Sequence, residues 1–501
     1  FDQLYRTAAN ERGSALLLIG DPKQSIYGFR GADIYSYLQA RRATEGRHYV
    51  LDTNYRSTHA LVSAVNHWFE QGERKLPEGA FLFRDGDANP LPFVPVQANG
   101  RPEQLQLAGR VVPAMQIVAD LQLSHGDQHR ARFAECCAEQ IVSWLNNPDM
   151  GFDRDGEPFK RLRPADIAVL VRTGKEADAV RRELRRRGVA SVYLSDKDSV
   201  FDSDEARDLL HWLRAVAAPL DVRLVRAGLA TRTVGLSLDE LAWLASDDEA
   251  FDERSAQLRA LHGVWMSQGV LTMLRQTLHQ LDLPARWLQE PDGERRLTNF
   301  LHLAELLQTA SAQLDGEQAL IRWLTLQMED RRNSSDEQIV RLESDADLVK
   351  VVTVHKSKGL EYAVVCLPFA CSFRKVERSK TPFVNTLNED GERELRLQYD
   401  DAALAQADRE RLREDLRLLY VALTRARHTM WMGVAALKVG NSEECRTHES
   451  AVGYLLMGHQ GTGPDGLMAH LQALAEGCHD MTLLTRPETV ARSRLAAGRD
   501  D

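Results

Sequence analysis

Short apolar runs of strand length occur on both sides of a long stretch, residues 204–330, that contains none of them. Residues 166–172, 191–194, 349–354, 363–367 and 430–434 are dominated by Val, Ile, Leu and other apolar residues, as befits strands buried on both faces. Residues 15–19 and 49–51 read the same way, and 116–123 alternates enough to be a further strand. Helix-length segments lie between them at 34–42, 59–69, 130–145, 176–187 and 406–423. From 204 to 330 apolar residues instead recur at three and four, as along 209–216 and 300–307. Strand–helix alternation that stops, gives way to helices alone and then resumes describes one α/β domain split by an all-α insertion. The polar segment 331–338 is the exit from that insertion.

The length of 501 residues suggests about three domains. A hydrophobic content of 43% with 27% charged residues suits a soluble globular chain. No apolar run approaches the roughly 18 residues of a membrane span, so no membrane partner is expected. A net charge of −10 argues against binding nucleic acid through the overall field, but leaves room for a local basic groove. The six cysteines, Cys136, Cys137, Cys366, Cys371, Cys445 and Cys478, form no CxxC pair and have no histidine at zinc spacing. They read as reduced thiols of a cytoplasmic protein, with no metal site. His125 and His129 read as surface histidines in a loop. The basic helix end 181–187 reads first as a solvated face that suits the helix dipole, and second as a contact to a DNA backbone. Residues 72–109, rich in Pro, Gly and Asn, read as an irregular connection or inserted module. The first residues show no signal-peptide pattern and read as the middle of a helix, so the chain is expected to start inside a longer protein.

Chemistry concentrates where elements meet. The sequence GDPKQSIYGFRGAD, residues 20–33, follows the apolar run 15–19, and ligands of open α/β sheets sit beyond the carboxyl ends of strands. It offers an amide (Gln24), two rings (Tyr27, Phe29) and a guanidinium (Arg30). Alone, it reads equally well as a packed turn with two core rings. Two other junctions carry arginines, Asn54-Tyr55-Arg56 and Thr424-Arg425, and a third runs from His355 to Glu361. Arginine binds phosphate bidentately and does not deprotonate. Reaching a γ-phosphate, it can accelerate phosphoryl transfer by about 10³–10⁵. A tyrosine beside it can stack on a base, and a glutamate after Lys-Gly-Leu can hold a ribose hydroxyl. Taken singly, Arg56 or Arg425 is explained as well by a surface ion pair.

Taken together, four stretches resemble the superfamily 1 DNA helicases of the UvrD/Rep type. GDPKQSIYGFRGAD (20–33) is similar to helicase motif III, NYRST (54–58) to motif IV, VTVHKSKGLEY (352–362) to motif V and LYVALTRA (419–426) to motif VI. Within that superfamily RLESD (341–345), GERRLT (293–298) and VYLSDKDSVF (192–201) resemble the RecB branch, the helicase–nuclease subunits of exodeoxyribonuclease V. The resemblance covers about residues 1–440. It implies RecA-like P-loop NTPase lobes, parallel sheets with helices on both faces, and ATP in the cleft between them. Residues 1–45 would end lobe 1A, 46–215 and 347–440 would form lobe 2A, 216–346 would be the helical 2B subdomain, and 441–501 a tail toward a nuclease domain. By the same resemblance Gln24 senses the γ-phosphate and Arg56 and Arg425 contact it, as the catalytic set. Tyr55 stacks on adenine, and Gly359 and Glu361 lie at the ribose. Tyr27 and Phe29 stack on single-stranded DNA, with Thr353 and His355 on the DNA side of motif V. Many UvrD-type relatives have Trp where this chain has Phe29. Arg30 pairs with an acid of lobe 1A or touches DNA.

The sequence contains no G-x-x-x-x-G-K-[ST] phosphate loop. The Asp-Glu pair that holds Mg²⁺ would lie upstream of Phe1, so Mg²⁺ is expected to be held outside this chain. No carboxylate cluster with a lysine, as a nuclease needs, is evident before Asp501. The resemblance therefore implies the C-terminal motor segment of an ATP-dependent 3′–5′ DNA helicase of double-strand break repair and recombination, inactive by itself. Its partners would be single-stranded and duplex DNA and RecC-like and RecD-like subunits. A helicase-like DNA-binding scaffold without catalysis, and a UvrD-type helicase without a nuclease, are the competing readings.

Overall fold

A computed structural model describes residues 16–28, 33–194, 200–290, 293–329, 347–387, 393–440 and 442–496. The chain forms two compact units, residues 1–194 with 347–501, and residues 195–346. Phe29, Arg30 and the segment 341–345 lie outside the described residues.

The first unit is built on a sheet of seven parallel strands. In chain order these are β3 (Met115–Ser124), β4 (Ile167–Val171), β5 (Ser191–Leu194), β6 (Val349–Thr353), β7 (Tyr362–Leu367), β8 (Ala426–Leu437) and β9 (Met481–Thr485). Their spatial order is β9-β3-β8-β7-β4-β6-β5. Among the short strands that precede them, β1 (Thr53–Asn54) and β2 (Gln97–Ala98) pair with each other in parallel. Every residue of β4 and β7 is buried, as expected for central strands with helices on both faces. Close approach is enforced at Gly433 of β8. A Cβ there would lie 2.4 Å from both the Phe133 ring and the Pro368 carbonyl oxygen, so this contact between strand and helix needs glycine.

The helices begin where local chemistry starts them. Thr173 and Glu176 form a capping box for Gly174–Arg186. Asp400 accepts from the Ala403 amide at the head of Asp401–Leu423. The irregular region 72–109 is packed rather than loose. Phe81 and Phe93 stack on Phe69 at 5.3 Å, and Tyr420 meets Phe69 edge-on at the same distance. Among the described residues no helix is long and apolar enough to cross a membrane.

Several expectations are corrected. Residues 16–19 and 49–51 form no strand: Leu17 is 80% exposed, Ile19 95% and Tyr49 fully exposed. An apolar run becomes a strand only where another strand offers it hydrogen bonds, and among the described residues none does. His129 is buried in helix Gly126–Asn146 rather than at the surface. Arg187 is likewise buried, paired with Glu139 at 3.1 Å and Glu183 at 2.7 Å, so the basic helix end is only partly a solvated face. The tail after 440 is no linker. Helices Ala451–Met457 and Pro464–Glu476 pack on the sheet unit, and β9 extends the sheet beside β3.

Among the described residues the second unit is helical, with no strand. The boundary expected between 215 and 216 falls inside helix Asp204–Ala217, whose Leu209, Trp212, Leu213 and Val216 belong to the helical core. Trp212 donates to Thr277 at 3.1 Å and Asn299 to Glu205 at 2.9 Å within it. The helix therefore belongs to the insertion. All six cysteines are free and buried.

Candidate functional site

The loop that carries Arg56 is fixed from three sides. Asn54 turns its own chain, its Oδ1 accepting from the amides of Arg56 (2.8 Å) and Ser57 (3.0 Å), an Asx turn. The backbone before it is zipped to β2, with Gln97 N donating to Asp52 O (2.7 Å) and Asn99 N to Asn54 O (2.9 Å). Beyond it, Ser57 Oγ donates to Ala426 O (2.7 Å) and Thr58 N to Arg427 O (2.9 Å). Thr58 then caps helix His59–Lys75. The loop is thereby docked on the amino end of β8.

Arg56 and Arg425 have different surroundings. Arg56 donates through Nε to Glu361 at 2.8 Å and through Nη1 to the Thr424 carbonyl at 3.2 Å. Arg425 is only 1% exposed. Its guanidinium donates to the carbonyls of Val421 (2.9 Å), Leu360 (3.0 Å) and Ser357 (3.4 Å) and to Thr424 Oγ1 (2.9 Å). All four acceptors are neutral oxygens. Burial, and next the neighbouring charge of Arg56, bring its pKa down to about 10. It stays charged at neutral pH, a largely desolvated cation beside a cleft.

That cleft, of about 540 Å³, is lined by Gln24, Tyr55, Arg56, Glu361 and Arg425, with Leu61, Val62, Val65 and Val96 as an apolar wall. Glu361 and Arg425 immediately precede β7 and β8, neighbouring parallel strands. The cleft thus lies at the amino ends of the sheet strands, opposite to the rule for open α/β sheets. The Tyr55 residue is 72% exposed, its ring open to a stacking partner. Gly359 stands in the left-handed region at φ +85° and turns the chain two residues before Glu361, but does not itself line the cleft.

The Gln24 loop is held by side chains from elsewhere in the unit. Asp21 caps its single turn, and Gln24 Nε2 donates to Asp21 Oδ2 at 3.0 Å. Lys358 Nζ donates to the Gln24 carbonyl at 2.8 Å, and Arg417 Nε to the Ser25 carbonyl at 2.7 Å. Tyr27 donates its hydroxyl to the His355 carbonyl at 2.9 Å, and Lys358 Nζ lies 5.2 Å from the centre of its ring. Tyr27 and His355 are therefore brought together. Thr353 is buried, its hydroxyl accepting from Lys356 N at 3.3 Å. That bond closes the turn at the end of β6. Lys358 and Arg417 went unnoticed in the sequence, though both stand in or beside recognisable motifs. Arg101, which donates to the Arg56 carbonyl, carries no signal in the sequence at all.

Comparison with known proteins agrees with this geometry. The UvrD-like helicase C-terminal domain matches residues 49–237 and 251–436, and the UvrD/REP helicase N-terminal domain matches residues 2–45. The chain is 39% identical over 475 residues to the RecBCD enzyme subunit RecB of Escherichia coli K12, covering 92% of this chain and 39% of that protein. For the Haemophilus influenzae RecB subunit the identity is 35%, covering 87% of this chain and 34% of the relative. The Mycolicibacterium smegmatis RecB subunit is also 35% identical, over 82% and 36%. The chain thus spans somewhat over a third of the length of these relatives. The parallel sheet with flanking helices is a RecA-like lobe, and the chain belongs to the UvrD-like helicase family, of the kind found in RecB.

Proposed function

We propose that this chain supplies the arginine side of the nucleotide cleft of an ATP-dependent 3′–5′ DNA helicase that acts, as a RecB-like helicase–nuclease subunit, in double-strand break repair and recombination in the cytoplasm. The observation that carries this reading is the convergence of Gln24, Tyr55, Arg56, Glu361 and Arg425 on one cleft. These residues suit ATP. Arg425 is a buried guanidinium with only neutral acceptors, and Tyr55 is an exposed ring beside an apolar wall. Bound there, ATP would supply the phosphoanhydride whose hydrolysis drives movement on DNA. Arg425 and Arg56 would stabilise charge on the transferring phosphoryl group. Glu361 would accept from the ribose hydroxyls, Tyr55 would stack on the base, and Gln24 would relay the γ-phosphate state to its loop. Mg²⁺ would be held by residues outside this chain.

Tyr27 and His355, joined through the Tyr27 hydroxyl, would meet single-stranded DNA, and Lys358 would tie that contact to the Gln24 backbone. Phe29 and Arg30 are proposed to act there too. RecC-like and RecD-like subunits are the proposed partners. A catalytically dead scaffold would have no use for Gln24, Arg56, Glu361 and Arg425 at one cleft. The test is DNA-stimulated ATP hydrolysis by the full-length enzyme. Arg56→Ala and Arg425→Ala should each lower turnover by about 10³ or more. Turnover equal to the unmodified enzyme in either variant would sink the proposal.

A further inference from the structure

Arg56 must present its guanidinium in a fixed place, yet it sits on a loop between two-residue β1 and helix His59–Lys75. A guanidinium from a distant part of the chain closes on that loop. Arg101 Nη1 donates to the Arg56 carbonyl at 3.0 Å, while its Nε is bonded to the Glu103 carboxylate. Glu103 in turn packs 3.6 Å from Nε2 of His428, a van der Waals contact to a ring that burial keeps neutral at neutral pH, its pKa brought down to about 4. His428 is buried on β8, three residues after Arg425, with its ring tilted against Phe152 at 5.0 Å. Side chains thus run from strand β8 through His428, Glu103 and Arg101 to the backbone of Arg56.

We propose that Arg101, braced by Glu103 against His428, is a positioning residue that registers Arg56 to the strand preceded by Arg425. The proposal rests on the nucleotide reading of the cleft. Arg425 is referenced to β8 through the chain itself. Arg56 reaches the same strand through Ser57, Thr58 and this brace. A guanidinium suits the task because its planar fork serves a carboxylate with one nitrogen and a carbonyl with another in a fixed relation. The Glu103 carboxylate offsets the charge so that it can lie partly buried beside the cleft. Asn54 and β2 set the path of the backbone, and Arg101 removes the remaining play at the Arg56 peptide.

Misplacement of a catalytic group by about 1 Å can cost on the order of 10²-fold in rate. In the full-length enzyme, Arg101→Ala should lower kcat of DNA-stimulated ATP hydrolysis by about 10–100-fold, with KM for ATP changed less than about threefold. Glu103→Gln, which keeps shape and volume, should lower kcat in the same direction by a smaller factor, and it decides the matter if Arg101→Ala does not fold. Folded fraction is measured on the same samples by circular dichroism. A kcat within about twofold of the unmodified enzyme, or a fall no larger than the loss of folded protein, would overturn the assignment. Arg56→Ala and Arg425→Ala run in parallel separate the two ideas. If both are inactive while Glu103→Gln and a folded Arg101→Ala turn over normally, only the brace is wrong. If either is fully active, the nucleotide reading itself is wrong.

Discussion

Arg425 and Arg56 show how one cleft uses the same side chain in two electrostatic settings. Arg425 is buried and bonded to neutral oxygens, so an anion arriving beside it meets a charge already stripped of water. Arg56 is held by Glu361, with both side chains about a third exposed. Pairs of that kind contribute only about 0–1 kcal/mol, so a phosphate and a ribose can separate them at little expense. On the proposed nucleotide reading, Glu361 would exchange Arg56 for the ribose hydroxyls of bound ATP. Glu361→Gln should raise KM for ATP by about tenfold, the loss of a charge-assisted hydrogen bond, with a smaller effect on kcat. Steady-state titration with ATP checks this, and an unchanged KM would remove Glu361 from the ribose. At this scale short local motifs pointed to Gln24, Arg56, Glu361 and Arg425, and the structure brings them to one cleft. Arg101 was invisible because its contact with the Arg56 carbonyl spans 45 positions. The burial of Thr353 was not legible because a motif position does not say whether a side chain faces outward.

The secondary-structure elements divide by how much of their environment is their own. Strands β4, β6 and β7 were evident because residues buried on both faces must be apolar almost without interruption. The runs at 16–19 and 49–51 have the same composition but no neighbouring strand among the described residues. Edge strand β9 has the opposite fault, since Leu484 is exposed and a Gly-rich stretch precedes it. Helix Gly126–Asn146 buries His129 with neither ring nitrogen hydrogen-bonded, against Phe133 and Phe369. Burial brings its pKa down to about 4, Asp120 opposing and Arg130 and Arg132 reinforcing the shift. The unfolded histidine titrates near 6.5. Below that pH the unfolded chain takes up a proton that the folded chain does not. The contribution of this site is complete above about pH 6.5 and is lost as pH falls toward 4. His129→Leu should therefore flatten the fall in unfolding temperature between pH 7 and pH 5. Equal slopes for the two proteins would show that His129 does not titrate in this window.

Across the whole molecule, the sheet unit is assembled from distant parts of the sequence. β3 pairs with both β8 and β9, so residues near 115, 430 and 481 lie side by side. In the sequence, the helical unit falls between β5 and β6. That split was legible, because a change from strand runs to helical period spans more than a hundred residues. Its boundary was not, because helix Asp204–Ala217 comes soon after β5 in the sequence and only packing assigns it to a core. The absence of a phosphate loop from the sequence has a functional consequence at this scale. The 501-residue chain alone should release no phosphate from ATP, with or without DNA, and DNA-stimulated release by the pure chain would refute the division of labour proposed here. Arg425 is proposed to act on the reacting phosphate instead of merely holding the fold or the nucleotide. This proposal is tested most directly by measuring ATP affinity and DNA-stimulated ATP turnover side by side on full-length Arg425→Ala. Turnover lowered by about 10³ with near-normal affinity is the predicted result. Unchanged turnover would contradict the claim, as would a loss fully explained by weaker binding.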